Sequence, residues 1–268
     1  MTMIHLSPWD LGIASILIFL LAGMSWRLRL GVERRVLIAA SRSAVQLTLV
    51  GMVLKLLFAQ TNLALIGLMA LVMLSVAGFE VMQRQKRRYR GGWGYGIGAF
   101  SMFLSSFSVT LMALTVVIGV EPWYQPQYLI PLLGMMLGNT MNGVAIALDN
   151  LTRQAWESRG KIEARLLGGQ SWETAIQDIR RDALRSGLIP IVNAMSTAGL
   201  VSLPGMMTGQ ILAGSPPMEA AKYQLLIMFL ISGGTGLGSM VAVWLGSRRL
   251  FDDRQRLRLD RLADGSKF

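Results

Sequence analysis

"NLALIGLMALVMLSVAGFEVM" occupies residues 62–82 and is followed almost at once by "RQKRRYR", residues 84–90. The first stretch holds one ionisable side chain, Glu80, near its end. As a helix rising 1.5 Å per residue, a run of about twenty apolar residues crosses the ~30 Å hydrocarbon core of a bilayer. The second stretch carries Arg84, Lys86, Arg87, Arg88 and Arg90. An apolar run closed by a basic cluster reads as a membrane-spanning helix that ends on the cytoplasmic side.

The same alternation runs along the chain. It predicts an all-α, polytopic membrane protein with about seven transmembrane helices, at 9–26, 36–58, 62–82, 94–118, 127–148, 187–213 and 222–247. Composition agrees: 53% of the 268 residues are hydrophobic and 15% charged, against about 25% charged in ordinary globular domains. Basic residues crowd "RLRLGVERR" (27–35), 84–90, the segment 150–186 and the tail from Arg248. The alternate loops "AQTN" (59–62) and "GVEPWYQPQ" (119–127) have none, and "AGSPPMEAAK" (213–222) has only Lys222. The expectation is an N-terminus outside and a cytoplasmic C-terminus. The net charge of +11 therefore reads as topology, helped by anionic lipid. Nucleic-acid binding is disfavoured, because the basic residues fall in four separate loops.

Several chemistries are excluded or disfavoured. The first apolar run lacks a basic n-region, so it reads as a retained helix rather than a cleaved signal. The chain has no cysteine and one histidine, His5, which rules out disulfides, thiolate sites and His-rich metal sites. No G-x-x-x-x-G-K-[ST] occurs, so ATP is not bound in that way. "GGTGLG" (233–238) lies inside an apolar helix and reads as close helix packing. Carboxylates fall at helix ends or in loops, not at the bilayer midplane where ion-coupled carriers usually need one. An uphill transporter of this kind would draw its energy from another subunit.

The only sizeable inner loop is 150–186. In it Ser171 can cap a helix, with Glu173 in its first turn. Trp172, Ile176, Ile179 and Ala183 recur at helical spacing, as in an amphipathic helix on the membrane surface or a docking element for a soluble partner. "EARLLGG" (163–169) resembles the EAA loop by which many ABC permeases insert a short helix into their ATPase. Glu163, Ala164, Gly168 and Gly169 fit that pattern, and Leu167 lies within it. Arg165 stands where a second alanine is usual, and the following I-x-L-P element is not recognisable.

Longer stretches carry a more specific likeness. "SRSAVQLTLVGMVLKLLF" (41–58), "IPLLGMMLGNTMNGVAIALDNL" (130–151) and "GLVSLPGMMTGQILAG" (199–214), then "AAKYQLLIMF", resemble the iron-export ABC permease family of the FetB type and its relatives, the plant aluminium-sensitivity permeases. The resemblance implies a single permease domain over 1–268, with a coupling helix in 150–186 and a basic cytoplasmic tail at 248–268. It implies export of iron, another metal or a metal-linked solute across a bacterial inner membrane. ATP and Mg would be used by a separate P-loop ATPase, so this chain would not be an enzyme and would need no cofactor of its own. A permease homodimer follows, because ATPases work in pairs and one chain offers one docking loop. Alternatives are a membrane receptor or scaffold, an ion-coupled carrier, and ABC export of a nucleotide sugar.

Two stretches read G-M-M-x-G followed by an amide: "GMMLGN" (134–139) and "GMMTGQ" (205–210). Gly134/Gly138 and Gly205/Gly209 are small-residue pairs suited to close helix packing. Met135, Met136, Met206 and Met207 offer soft thioethers, and Asn139 and Gln210 offer amide oxygens, a donor set for a passing metal. Met135, Asn139, Asn142 and Asp149 share one helix face. Arg42 and Gln46 lie one turn apart; Arg42 can snorkel to the cytoplasmic interface or pair with Glu80 or Asp149. Lys55 reads as a snorkelling residue.

Overall fold

A computed structural model of the chain describes residues 7–59 and 62–264. His5 and half of the "AQTN" loop lie outside the described residues. The chain divides into two compact units, one with the first two helices, the other with everything from Leu63 onward except Leu212–Gly214.

In the first unit, α1 (Pro8–Arg27) and α2 (Glu33–Ala59) form a helical hairpin. Ser7 and Asp10 make a reciprocal capping box at the start of α1, with proline at the first helical position, where its missing N–H costs nothing. The turn between the helices places Arg29 and Gly31 at positive φ. Ser25 Oγ donates to Glu33 Oε2 across it, at 3.2 Å.

The second unit opens with α3 (Leu63–Gln83) and strand β1 (Arg87–Tyr89). A continuous helix then runs from Trp93 to Ile118. It comprises α4 (Trp93–Met102), a π turn at Phe103–Phe107, α5 (Ser108–Met112) and a second π turn at Ala113–Ile118. Next come α6 (Pro126–Glu157), α7 (Arg159–Leu167), α8 (Trp172–Ala175), α9 (Gln177–Thr197), α10 (Gly205–Leu212), α11 (Pro217–Arg249) and strand β2 (Leu262–Asp264). Six of the described helices are long and apolar enough to cross a membrane.

The expected helix at 187–213 is not continuous. α9 begins ten residues earlier, at Gln177, and ends at Thr197; the chain turns before α10 starts at Gly205. Ala198 is extended, Gly199 takes φ +82° and its N–H donates to Ser202 O at 2.9 Å. Pro204, which has no N–H, precedes the restart. The apolar face in 150–186 does not lie on a membrane surface either. Ile176, Ile179 and Ala183 are buried inside the protein, because α9 packs its first turns against α6.

Small residues set the core. An ideal Cβ on Gly234 would lie 2.2 Å from Met136 Cε, and one on Gly238 would lie 2.5 Å from Thr140 Cγ2. On Gly143 it would meet Thr235 Cγ2 at 2.5 Å, and on Gly187 the Gly143 carbonyl oxygen at 2.7 Å. Met136 is a flexible neighbour that can give way, but the Gly143 carbonyl and the short threonine side chains cannot readily do so, and α6, α9 and α11 meet along this glycine seam. "GGTGLG" is thus a packing surface.

At one end of the unit the basic segments assemble. β1 pairs antiparallel with β2, with Arg87 opposite Asp264 and Tyr89 opposite Leu262. Tyr89 is buried and donates to Gly246 O at 2.8 Å. Thr152 Oγ1 donates to Arg87 O at 2.8 Å. The Arg87 guanidinium sits 3.9 Å above the Trp156 ring, and that of Arg249 sits 4.3 Å from Trp93, both within cation–π range. The tail, expected only as a basic extension, is folded to residue 264. Parts of the segments 84–90, 150–186 and 250–264 therefore lie together at this end of the unit.

Candidate functional site

The candidate coupling element is α7. Its inner face is fixed by Ile162, which is fully buried. Arg165 makes a two-pronged contact with Asp178, Nη1 to Oδ1 at 2.8 Å and Nη2 to Oδ2 at 3.0 Å. It also donates to Ala175 O at 2.9 Å. Lys161 Nζ reaches Asp178 Oδ2 at 2.6 Å. The Arg165 hydrogen bonds hold the Asp178 carboxyl well below the usual carboxylate range, with Lys161 assisting and partial burial opposing. Arginine in place of the usual second alanine thus ties α7 to the start of α9.

The opposite face is open. Glu163, Ala164, Gly168 and Gly169 are exposed and Leu167 is 90% exposed. The helix stops there because Gly168 and Gly169 donate back to Ala164 O and Leu166 O, with Gly169 at φ +82°, a glycine cap. As expected, the Ser171 side chain caps α8 through the Thr174 N–H. The tail braces the element: Gln255 Oε1 accepts from the Trp172 N–H at 3.0 Å, and Phe251 packs on the Trp172 ring with centroids 5.6 Å apart. Between the α7 tip and residues 253–257 lies an open cleft of about 730 Å³.

The two G-M-M stretches have different settings. Met136 is fully buried against Gly234 in the α6–α11 seam, and Met135 is half-buried. Asn139 spends one amide hydrogen on Met135 O at 2.8 Å. Met206, Met207 and Gln210 are half-buried on α10, which has no fully buried residue. The Gln210 Oε1 is nevertheless shielded, with no partner among the described residues. Close approach was expected at both glycine pairs, yet an ideal Cβ at Gly138, Gly205 or Gly209 would meet nothing within 4 Å, and at Gly134 only Met73 Cε at 3.3 Å. In the α6–α9–α11 seam the close packing is made instead by Gly143, Gly187, Gly234 and Gly238. Among the described residues, no group of three His, Asp or Glu side chains is placed to hold a metal ion.

The polar face of α6 runs along α3. Asn142 Oδ1 accepts from Arg84 Nη1, whose Nε lies 3.9 Å from Glu80 Oε2. Asp149 Oδ1 accepts from the Lys86 backbone N–H at 2.7 Å. Glu80 and Asn142 are therefore joined through Arg84, while Asp149 anchors the turn after α3. Arg42 and Gln46 lie on α2 in the other unit. Sequence reasoning missed Arg84, Tyr89, Arg165 as an anchor, and Gln255. Of these, Arg165 had a signal, its departure from the expected alanine.

The family model described as "Uncharacterised protein family (UPF0014)" matches residues 8–251. The UPF0014 membrane protein slr1647 of Synechocystis sp. is 37% identical over 252 residues, spanning 93% of this chain and 94% of that protein. The UPF0014 membrane protein STAR2 of Oryza sativa is 35% identical over 233 residues, 87% of this chain and 79% of its own. The Escherichia coli protein named "Probable iron export permease protein FetB" is 31% identical over 248 residues, 92% and 93% of the two chains. No solved structure matches.

Proposed function

This chain belongs to the UPF0014 family of multi-pass membrane proteins, and from that premise we propose that it is the permease subunit of an ABC transporter that exports iron or another metal ion. The observation that carries the reading is the build of α7: Ile162 and Arg165 hold it from within, while Leu167 projects almost wholly into solvent. A short helix anchored on one face and bare at its tip suits a groove on a soluble P-loop ATPase. ATP and Mg belong to that partner, and this chain supplies the path. Each chain offers one such tip, so a homodimer carrying two ATPases follows. The end bearing β1, α7 and the tail faces the cytoplasm of a bacterial cell, with the N-terminus outside, in keeping with its basic character. Iron is favoured by the name of the Escherichia coli relative. Thioethers from Met135, Met207 and their neighbours would also accept softer ions.

The test is ATP-dependent uptake into inverted vesicles containing the chain and a candidate soluble P-loop ATPase. Iron, other metals and nucleotide sugars are each offered. Accumulation of a metal that requires ATP and is lost on Leu167→Glu supports the reading. No ATP-dependent accumulation, with no ATPase retained on purification, refutes it. Labelling of a Ser158→Cys variant by an impermeant reagent outside intact cells would refute the orientation alone.

A further inference from the structure

A groove of about 440 Å³ lies on the surface of the second unit where α4 meets α11. Gly92, Trp93, Gly96, Ile97 and Phe100 line it from the start of α4, and Leu245 from α11. The glycines of α4 divide between two sides. An ideal Cβ on Gly98 would stand 2.9 Å from Val81 Cγ1, and one on Gly94 3.1 Å from Tyr89 O, so these two pack against the protein. On Gly92 and Gly96 it would meet nothing within 4 Å, which leaves bare backbone along the groove. Trp93 and Phe100 line it while remaining 51% and 53% exposed, so the groove is open. Both helices belong to long apolar spans, whose exposed surface in a bilayer meets acyl chains.

One end of this groove is cationic. Arg249 closes α11 one turn after Leu245, and its guanidinium lies 4.3 Å from the centroid of the Trp93 ring. Among the described residues no carboxylate forms an ion pair with it. Asp260 attracts it from further off but is already held by Arg258 through two hydrogen bonds of 2.9 Å. Arg258 and Arg261 both repel it. Arg261 is fixed beside it, donating to Arg249 O at 2.9 Å and to Phe251 O at 3.2 Å. α4 begins at this same end, and its N-cap, Gly92, has no side chain to occupy the first N–H groups, so the positive end of that helix is open. An uncompensated cation at the end of an apolar groove is complementary to an anion attached to hydrocarbon. Basic pockets between membrane helices take lipid headgroups in this way. A second copy of the chain fits less well, because a symmetric contact would set one Arg249 cluster against the other.

We propose that the groove holds one acyl chain of an anionic phospholipid whose phosphate pairs with Arg249 at the start of α4. Gly92 and Gly96 admit the chain against the helix backbone, and Trp93 and Phe100 flank it. Arg249 and the open helix end select a headgroup of net negative charge over a zwitterionic one. The site is independent of the α7 tip and of the metal path, and it does not rest on the transport reading.

The experiment uses the full chain in neutral detergent micelles, labelled with phosphatidylglycerol that bears a diazirine on one acyl chain. Unlabelled phosphatidylglycerol, phosphatidylcholine of the same chains and glycerol 3-phosphate are the competitors. Saturable labelling is expected within residues 92–100 and 244–249. Phosphatidylglycerol should compete roughly fivefold better than phosphatidylcholine, the worth of one arginine beside an anionic headgroup, and glycerol 3-phosphate should not compete. Arg249→Gln should erase most of that preference. Gly96→Leu, which fills the groove, should abolish labelling at an unchanged melting temperature. Labelling that does not saturate or spreads evenly over the spans overturns the proposal, as does equal competition by the two lipids in the unaltered chain. Competition by glycerol 3-phosphate as strong as by the lipid overturns it in favour of a free anion. Disulfide-linked dimers of a Gly96→Cys variant in membranes overturn it in favour of a second copy. The readings on the unaltered chain need no variant, so they decide the matter even if a variant fails to fold.

Discussion

Gly187→Ala tests whether the α6–α9–α11 seam is held by contact at the limit of approach. The added Cβ would stand 2.7 Å from Gly143 O and 2.9 Å from Ala147 Cβ. Neither is the end of a flexible side chain, so α9 itself must move. Overpacking of this kind costs about 1–3 kcal/mol, while replacing glycine by alanine inside a helix returns up to about 1 kcal/mol. The net is a loss of about 0–2 kcal/mol. Gly236→Ala on α11 is the control, because its Cβ would meet only Leu188 Cδ2, at 4.0 Å. That variant keeps the propensity gain without the clash. The two should differ by about 2 kcal/mol, or roughly 4–8 °C by the scaling for domains of similar size. Thermal unfolding in one detergent at one scan rate reads the difference. Adding Ala147→Gly to Gly187→Ala should recover part of the loss, since it relieves the second contact and not the first. Equal melting temperatures for Gly187→Ala and Gly236→Ala would refute the close-contact account of the seam.

Leu167→Glu should leave melting unchanged, because the side chain touches solvent, yet abolish retention of the ATPase on purification; retained partner would show that α7 is only a surface helix. Asp178 titrates below its ordinary range in the folded protein, so its stabilising effect is complete above about pH 4 and declines as pH falls further. Proteolysis at Gly168–Ser171 should therefore rise only under acid conditions in the native chain. In Arg165→Lys, which lacks the two-pronged geometry, cleavage should be raised already at neutral pH. Met136→Ala should cost about 2–5 kcal/mol by emptying a filled core position. Met207→Leu should cost under about 1.5 kcal/mol, and a fall in metal transport at unchanged melting would assign its sulfur to the path.

Apolar runs and the placement of Arg and Lys were enough to find α1 to α6 and α11, because a bilayer enforces length and polarity on each helix separately. The division of 187–213 was harder to read. Gly199 and Pro204 sit in apolar sequence, and hydropathy is blind to a turn made of apolar residues. The G-M-M glycines drew attention by their repetition, yet the near-contact glycines of the α6–α9–α11 seam are Gly143, Gly187, Gly234 and Gly238. Of these four, only the pair on α11 shows the small-residue spacing within one helix. Gly143 and Gly187 are single residues on different helices, and no local pattern marks such a pair. The coupling element was legible as a motif. Its attachment through Arg165 and Asp178, and its bracing by Gln255, depend on residues brought together by the fold.

The pairing of Tyr89 with Gly246, 157 residues apart in the chain, has a consequence for biosynthesis. At about 5–20 residues per second a ribosome needs roughly ten to thirty seconds to make that span. During this interval β1 has left the exit tunnel while β2 and the end of α11 do not yet exist, so an unpaired strand edge and an unsheltered tyrosine wait at the membrane surface. Insertion of α6, α9 and α11 must precede closure of this layer. Stalling near Gly246 would therefore leave the nascent chain with α11 not yet inserted and its inner layer open to quality-control proteases.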